Sequence, residues 1–408
     1  MIPTTPAVST VHTNDQGHRV PKGRLLGIDV VRALALLGVF IEHFRVNGWF
    51  SAGPVRDTGP ALLHWVNVET SSRAMSLFVL LAGVSLALMT GGSRPYQGKR
   101  MRTAVLRVIV RAVTLWLISL CIDEFAPSVI AVYAVLLVFL LPFTRLRPRT
   151  LFILSGISIP LVTTYAMWVL SAHMDWMRSE TPDGLALLAR PGSWGEYFVT
   201  LVSVGSGFQF VYGIPLVLAG LAIGRLDLHG RAVRIKMLVA GPCVALGAVT
   251  VSLVASKLFG VDELLERRSP DDLVWQEVFA MPGSNSVYAT SVVGIVFMIG
   301  VASALLGGFL MLTDRRIWRR LLWPLAAAGG MTMTWYAGHF IYQSAIGRPQ
   351  TYSFVYFCAI VLVTLVASVL WRRWIRRGPL EWLVHKAITT VVPAPKPWTA
   401  RVDKADVT

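Results

Sequence analysis

Asp29, Arg32, Glu42 and His43 stand inside a stretch otherwise built to cross a membrane, LLGIDVVRALALLGVFIEHFRVNGWF at residues 25–50. Ionisable groups in such a span are expensive to desolvate and are functional candidates by default. At about 100° per residue, Arg32 lies roughly 300° and His43 roughly 320° around the helix from Asp29, so these three share one narrow sector while Glu42 points elsewhere. A rise of about 1.5 Å per residue puts roughly 21 Å between Asp29 and His43, most of a hydrocarbon thickness of about 30 Å. One helix face therefore carries polar groups near both membrane surfaces.

Each group has a chemical reading and a plainer one. Asp29 and Arg32, three residues apart, can form an ion pair, and Asp near a helix N-terminus is favoured by the dipole; a structural role is the simpler account. His43 lies near the outer end of the span, where a neutral imidazole can take a proton from a hydroxyl or amine. Two more histidines fall at a comparable level: His64, ahead of the second span, and His339, within GGMTMTWYAGHFIYQS. Against a shared role stands the alternative that each satisfies a local hydrogen bond. In SRPYQGKRMRTAVLRVIVR, residues 93–111, a topological signal accounts for Lys99, Arg100 and Arg102. Arg107 and Arg111 are one turn apart and extend into an apolar run, where an unpaired guanidinium is costly. They suit phosphate binding, which the arginine fork serves well, and equally suit pairing with Asp29.

The elements that must position these groups are membrane helices. With 408 residues, 54% hydrophobic and 15% charged, the chain is too apolar for a soluble protein of two or three domains. Its net charge of +16 is spread between long apolar runs rather than gathered in one soluble patch, so topology explains it better than nucleic acid. A window of about 19 residues predicts an all-α bundle of about ten spans at 25–49, 73–90, 104–122, 128–143, 151–171, 198–223, 237–257, 287–313, 321–345 and 352–371. With the N-terminus inside, inner segments hold 28 of the 38 Lys and Arg residues and outer segments 9, with Arg32 in the first span. Both termini are then cytoplasmic and the protein sits in the plasma membrane.

The predicted domains are an N-terminal segment, 1–24, with no apolar signal core, a transmembrane region, 25–371, and a cytoplasmic amphipathic segment with a disordered tail, 372–408. WRRWIRRGPLEWLVHKAI reads as an interfacial helix on an anionic leaflet. The loops His173–Gly195 and Phe259–Ser286 are longer than connection requires and read either as binding lids or as solvated surface. Cys121, Cys243 and Cys358 lack ligand spacing and read as small core residues, with no metal site indicated. Gly220 and Gly224 form a small-xxx-small pair that suits another helix or another copy of the chain, the one hint of a homo-oligomer.

Asp29, Arg32 and Ala35 at steps of three, followed by His43, resemble the first-helix signature of the acyltransferase-3 family of integral membrane acyltransferases. SLFVLLAGVSLAL, Ser76 to Leu88, looks like the motif that follows it there, and Arg107 and Arg111 lie where that family carries an Arg pair, although the spacing here is four. GGMTMTWYAGHFIY, Gly329 to Tyr342, resembles that family's penultimate helix and also the related YeiB-like and heparan-alpha-glucosaminide N-acetyltransferase groups. The likeness covers about the first 120 residues and one later helix.

The resemblance implies acyl transfer from cytoplasmic acyl-coenzyme A, with acetyl favoured, to an acceptor across or within the membrane. The first-helix histidine carries the acid/base role in such families, which maps to His43; in the heparan acetyltransferase branch the key histidine precedes the second span, which maps to His64. On this expectation Arg102, Arg107 and Arg111 hold coenzyme A phosphates, its arm follows Asp29 and Arg32, and Tyr336, His339 or His64 positions the acceptor. The acceptor would be a hydroxyl of an envelope glycolipid or glycan, a trehalose-mycolate type lipid being one candidate. Two other classes compete: a transporter or lipid flippase using the same polar face, and an inactive scaffold. Transporters commonly show repeats and helices broken near mid-membrane, and the sequence predicts neither here.

Overall fold

A computed structural model of the chain describes residues 10–13, 19–22, 25–44, 73–125, 129–172, 184–203, 205–261, 263–264, 275–280, 291–347 and 352–393. They form a helical bundle preceded by one short antiparallel hairpin of β1 (Thr10–Thr13) and β2 (Arg19–Lys22), with Thr10 opposite Lys22. The helices are α1 (Leu26–Phe44), α2 (Arg73–Met89), α3 (Gly98–Asp123), α4 (Ile130–Phe139), α5 (Pro148–Ala172), α6 (Trp194–Ser203), α7 (Gly205–Arg225), α8 (Arg231–Phe259), α9 (Val292–Leu312), α10 (Arg316–Leu321), α11 (Trp323–Gly329), α12 (Thr332–Ala345), α13 (Phe354–Trp374) and α14 (Pro379–Val391). Among the described residues, five helices are long and apolar enough to cross a membrane: α3, α5 over Pro148–Val169, α8, α9 and α13. Arg73–Met89, Ile130–Phe139 and Gln209–Arg225 are shorter apolar helices. α1 stands apart because its 19 residues include Asp29, Arg32 and Glu42.

The outward faces are apolar. Leu246 is 66% exposed, Leu258 70% and Leu362 62%, an arrangement that suits hydrocarbon and not water. The protein is a helical membrane protein. The same fact corrects the reading of the cysteines: Cys121, Cys243 and Cys358 are exposed rather than in the core. A membrane bundle is apolar on its lipid side as well as inside, so an apolar sequence context does not imply burial.

α2 and α7 pack closely, where glycines let two backbones meet. A Cβ built at Gly220 would overlap the Leu80 carbonyl, and one at Gly224 would lie 2.9 Å from the Val84 oxygen. The small-xxx-small pair is therefore used inside the chain rather than offered to another copy. Replacing Gly220 by valine is expected to cost about 1–3 kcal/mol by overpacking, read as a lower unfolding midpoint in detergent. Gly247→Val on α8, where a new Cβ meets nothing within 4 Å, is expected to leave the midpoint unchanged; equal midpoints for the two variants would contradict this packing.

Two features depart from the predicted spans. The ninth, predicted as one helix over 321–345, is divided into α11 and α12, with α10 leading into it. Pro324 stands in the first turn of α11, where its missing N–H costs nothing, and Gly329–Gly330 ends it. Gly329 packs directly on the Asp29 carbonyl, where any Cβ would overlap. The second departure is α14, predicted to lie on the leaflet: it folds back against α3 and α12, with Val384 buried while Trp382 and Leu383 stay exposed.

Candidate functional site

α1 delivers two polar groups to opposite ends of the bundle. At its first turn Asp29, 3% exposed, accepts from Arg32 Nη1 at 3.1 Å, the ion pair that the three-residue spacing predicts. Arg32 Nη2 donates to Ser85 Oγ on α2 at 2.5 Å, and Ser85 Oγ donates to the Leu81 carbonyl at 2.6 Å. The pair is thereby tied to α2, and the remaining guanidinium surface faces a cavity.

At the far end of α1, His43 Nδ1 lies 2.8 Å from His339 Nε2 of α12. His339 is buried, and its Nδ1 lies 3.4 Å from the Trp335 carbonyl one turn earlier. That carbonyl can only accept, so hydrogen-bond chemistry assigns the His339 proton to Nδ1; His339 Nε2 then accepts from His43 Nδ1–H, and His43 Nε2 keeps its lone pair. Gln343, one turn beyond His339, donates to the His43 carbonyl at 2.9 Å. Aromatic rings enclose the pair: Phe340 lies with its centroid 4.9 Å from the His43 ring, and Phe40, Phe44 and Tyr336 stand 5.3–6.4 Å from the His339 ring. Two histidines predicted to share a level therefore touch. His64 lies outside the described residues.

Between the two ends runs a divided cavity. The larger part, about 520 Å³, is lined by Arg32, Ser85, Arg111, Thr332, Arg376, Arg377, Glu381 and His385 among its polar groups. A smaller part of about 130 Å³ shares Phe78, Arg111, Leu115, Tyr133, Thr332 and Met333 with it and ends at Tyr336. The Tyr336 hydroxyl accepts weakly from the Val129 N–H at 3.5 Å, and its ring stands edge-on to His339 at 5.3 Å. The open space thus runs from a basic mouth to within one ring of the histidine pair.

The three arginines predicted as phosphate ligands separate in the structure. Arg111 lines both parts of the cavity. Arg107, half-buried, has its Nε without a hydrogen-bond partner among the described residues and lies near enough to His385 to disfavour its protonation. Arg102 is exposed and does not line the cavity. Sequence reasoning missed the contribution of the C-terminal segment: Arg376, Arg377, Glu381 and His385 line the same space. The signal was present as one acid, Glu381, set among basic residues two positions after Gly378-Pro379.

Glu381 explains how the broken ninth span is tolerated. Its Oε1 accepts from the N–H groups of Met333 at 2.8 Å and Thr334 at 3.2 Å, and its Oε2 accepts from Thr334 Oγ1 at 2.5 Å. These satisfy donors that the start of α12 would otherwise leave orphaned. Thr334 Oγ1 in turn accepts from the Leu380 N–H at 3.2 Å, so α12 and α14 cap each other. Glu381→Ala is expected to cost about 1 kcal/mol and to raise amide exchange in α14 selectively; unchanged exchange there would show that α14 is held some other way. Burial first, then the Arg377 and Arg107 guanidiniums, push the His385 imidazole below its usual range.

Residues 273–390 match the family model described as a protein of unknown function (DUF418), which is the YeiB-like group. The matched stretch holds His339, the broken span, and the Arg376–His385 segment, while His43 lies outside it. The match does not extend to acyltransferase-3. No curated protein matches the chain.

Proposed function

We propose that this YeiB-like protein is a membrane O-acyltransferase that carries an acyl group, with acetyl favoured, from cytoplasmic acyl-coenzyme A to a hydroxyl of an envelope glycolipid or glycan, such as a trehalose-mycolate type lipid. The observation that supports it is the cavity: guanidiniums line one end, a narrower, mostly apolar passage that Arg111 also borders follows, and a hydrogen-bonded histidine pair stands beyond its other end. In this reading the ten spans are α1, α2, α3, α4, α5, α6 with α7, α8, α9, α10–α12 and α13, in the plasma membrane. Both termini are cytoplasmic, which puts the arginines on the side of the donor.

The step itself uses His43 as base. His43 Nε2 takes the acceptor hydroxyl proton as the oxygen attacks the thioester carbonyl; the C–S bond then breaks, and the thiolate leaves and takes up a proton, giving ester and free coenzyme A. His339 is a positioning residue that fixes the His43 tautomer, as an imidazole partner in such a pair does. Arg32 and Arg111 attract donor phosphates, Asp29 orients Arg32, and Tyr336 lines the path of the arm. Arg107 supplies further positive charge near the mouth, while Arg102 serves topology. His64 is the rival base, carried by the likeness to the heparan acetyltransferase branch.

One observation favours the competing class. The broken ninth span is a feature of transporters, so a transporter or flippase using the same cavity is the second reading. The experiment that separates them is turnover: purified protein in nanodiscs, given acetyl-, malonyl- and succinyl-coenzyme A with envelope lipid extract, is expected to release free coenzyme A thiol from at least one donor. Uptake of labelled lipid or solute into proteoliposomes without any thiol release would establish the transporter reading instead.

A further inference from the structure

The larger cavity carries more positive charge than its own carboxylate can balance. Arg32, Arg111, Arg376 and Arg377 line it, against Glu381 alone. Both Glu381 oxygens are committed to the start of α12, and Asp29 is engaged by Arg32. Among the described residues no salt bridge includes Arg111, Arg376 or Arg377. The depressed His385 imidazole is what an excess of nearby positive charge, added to burial, produces. Of the three arginines, Arg111 is withdrawn from water, where an unpaired guanidinium is costly unless an anion joins it, and the exposed Arg376 and Arg377 converge on the same space.

We propose that this cavity is a binding site for a ligand carrying two or more phosphate groups, and that Arg376 and Arg377, from the turn before α14, are its principal phosphate contacts together with Arg111. The inference shares its cavity with the acyl-transfer reading and is tested without any acyl group. Three features set the two C-terminal arginines apart from a generic topological signal. They face the cavity, whereas Arg100, Arg102 and Arg373 do not line it. Their turn is held in place: Trp371 Nε1 donates to the Arg377 carbonyl at 2.8 Å, Arg372 Nη1 to the Ala326 carbonyl at 3.1 Å, and the reciprocal caps of Thr334 and Glu381 fix the residues that follow. The volume, about 520 Å³, falls within the range of sites for small molecules, about 300–1,000 Å³, and a planar guanidinium is the donor best shaped for bidentate phosphate contacts.

Phosphates of this kind arrive either on a soluble nucleotide or on a phospholipid headgroup, and the test distinguishes them. The full chain is placed in nanodiscs of phosphatidylcholine, and binding of ADP and of coenzyme A is measured at equilibrium; a parallel sample in discs containing cardiolipin is examined by native mass spectrometry for retained lipid. The native protein is expected to bind ADP and coenzyme A, and the Arg376→Gln, Arg377→Gln double variant to bind each at least tenfold more weakly. Arg102→Gln is expected to change either by less than twofold. Both C-terminal guanidiniums are on exposed residues, so an unchanged unfolding midpoint in the double variant checks that the fold is intact. Retention of cardiolipin instead, lost in the same double variant, would assign the phosphates to a lipid headgroup and still support the site. The proposal is overturned if neither nucleotide nor cardiolipin is held, or if the double variant binds as the native protein does. Failure of thiol release leaves this result untouched, since ADP has no acyl group to transfer.

Discussion

Replacing His43 by alanine is expected to slow acyl transfer by about 10²–10⁴-fold, the range that a positioned general base supplies, while affinity for coenzyme A stays within about twofold. The two effects separate because His43 stands beyond the far end of the cavity, whereas Arg32, Arg376 and Arg377 line its larger part. His43 Nδ1 is engaged by His339 Nε2 at 2.8 Å and its backbone carbonyl by Gln343 at 2.9 Å, so α12 holds both the ring and the backbone of this residue. His339→Gln keeps a polar partner for His43 and is expected to lose less than His43→Ala, with the loss in the rate of transfer rather than in donor affinity. If His339→Gln were as inactive as His43→Ala, the assignment of base and positioning residue would have to be reversed or shared.

Arg225→Leu is expected to lower the stability of the bundle by roughly 3 kcal/mol. Arg225, 3% exposed at the end of α7, joins the turn after α2 to the turn after α4. Its Nη1 donates to the Ala87 carbonyl at 3.1 Å and the Gly92 carbonyl at 2.7 Å; its Nη2 donates to Thr90 Oγ1 at 2.6 Å and to the Thr144 carbonyl. The Ala87 carbonyl also accepts from the N–H groups of Thr90 and Gly92, so it retains partners when the guanidinium is lost. The Gly92 and Thr144 carbonyls would lose their Arg225 donors, at about 1–3 kcal/mol for each buried acceptor left unsatisfied. Removing a buried charge offsets part of this, since the guanidinium is itself desolvated. Unfolding in mixed micelles should show a lower midpoint for Arg225→Leu; a native midpoint would mean that water replaces the guanidinium at this corner.

The polar face of α1 was legible because helix geometry alone places its residues. Asp29 and Arg32 pair as their spacing requires, and the shared level of His43 and His339 becomes a direct contact. What the sequence concealed follows from the solvent: in a bilayer both the core and the lipid face are apolar, so hydropathy cannot say which way Cys121 or Cys358 points. Gly329–Gly330 reads equally as close packing and as a helix end; the structure uses it as both, against Asp29 and before α12. An amphipathic helix such as α14 likewise has one apolar face whether it meets lipid or protein. The decisive contact was Glu381, a side chain reaching 47–48 positions back along the chain, which no local pattern encodes. The same blind spot hid Arg376 and Arg377, whose place at the cavity goes with α14 folding back.

The most direct test of the central claim is single-turnover mixing of the purified protein in nanodiscs with radiolabelled acetyl-coenzyme A, comparing the native chain with His43→Ala and His64→Ala. The account predicts transfer of label by the native protein and by His64→Ala, and transfer slowed by about 10²–10⁴-fold in His43→Ala. Loss in His64→Ala alone would move the base to the other histidine. No transfer by the native protein, with malonyl- and succinyl-coenzyme A equally inert, would contradict acyl transfer altogether.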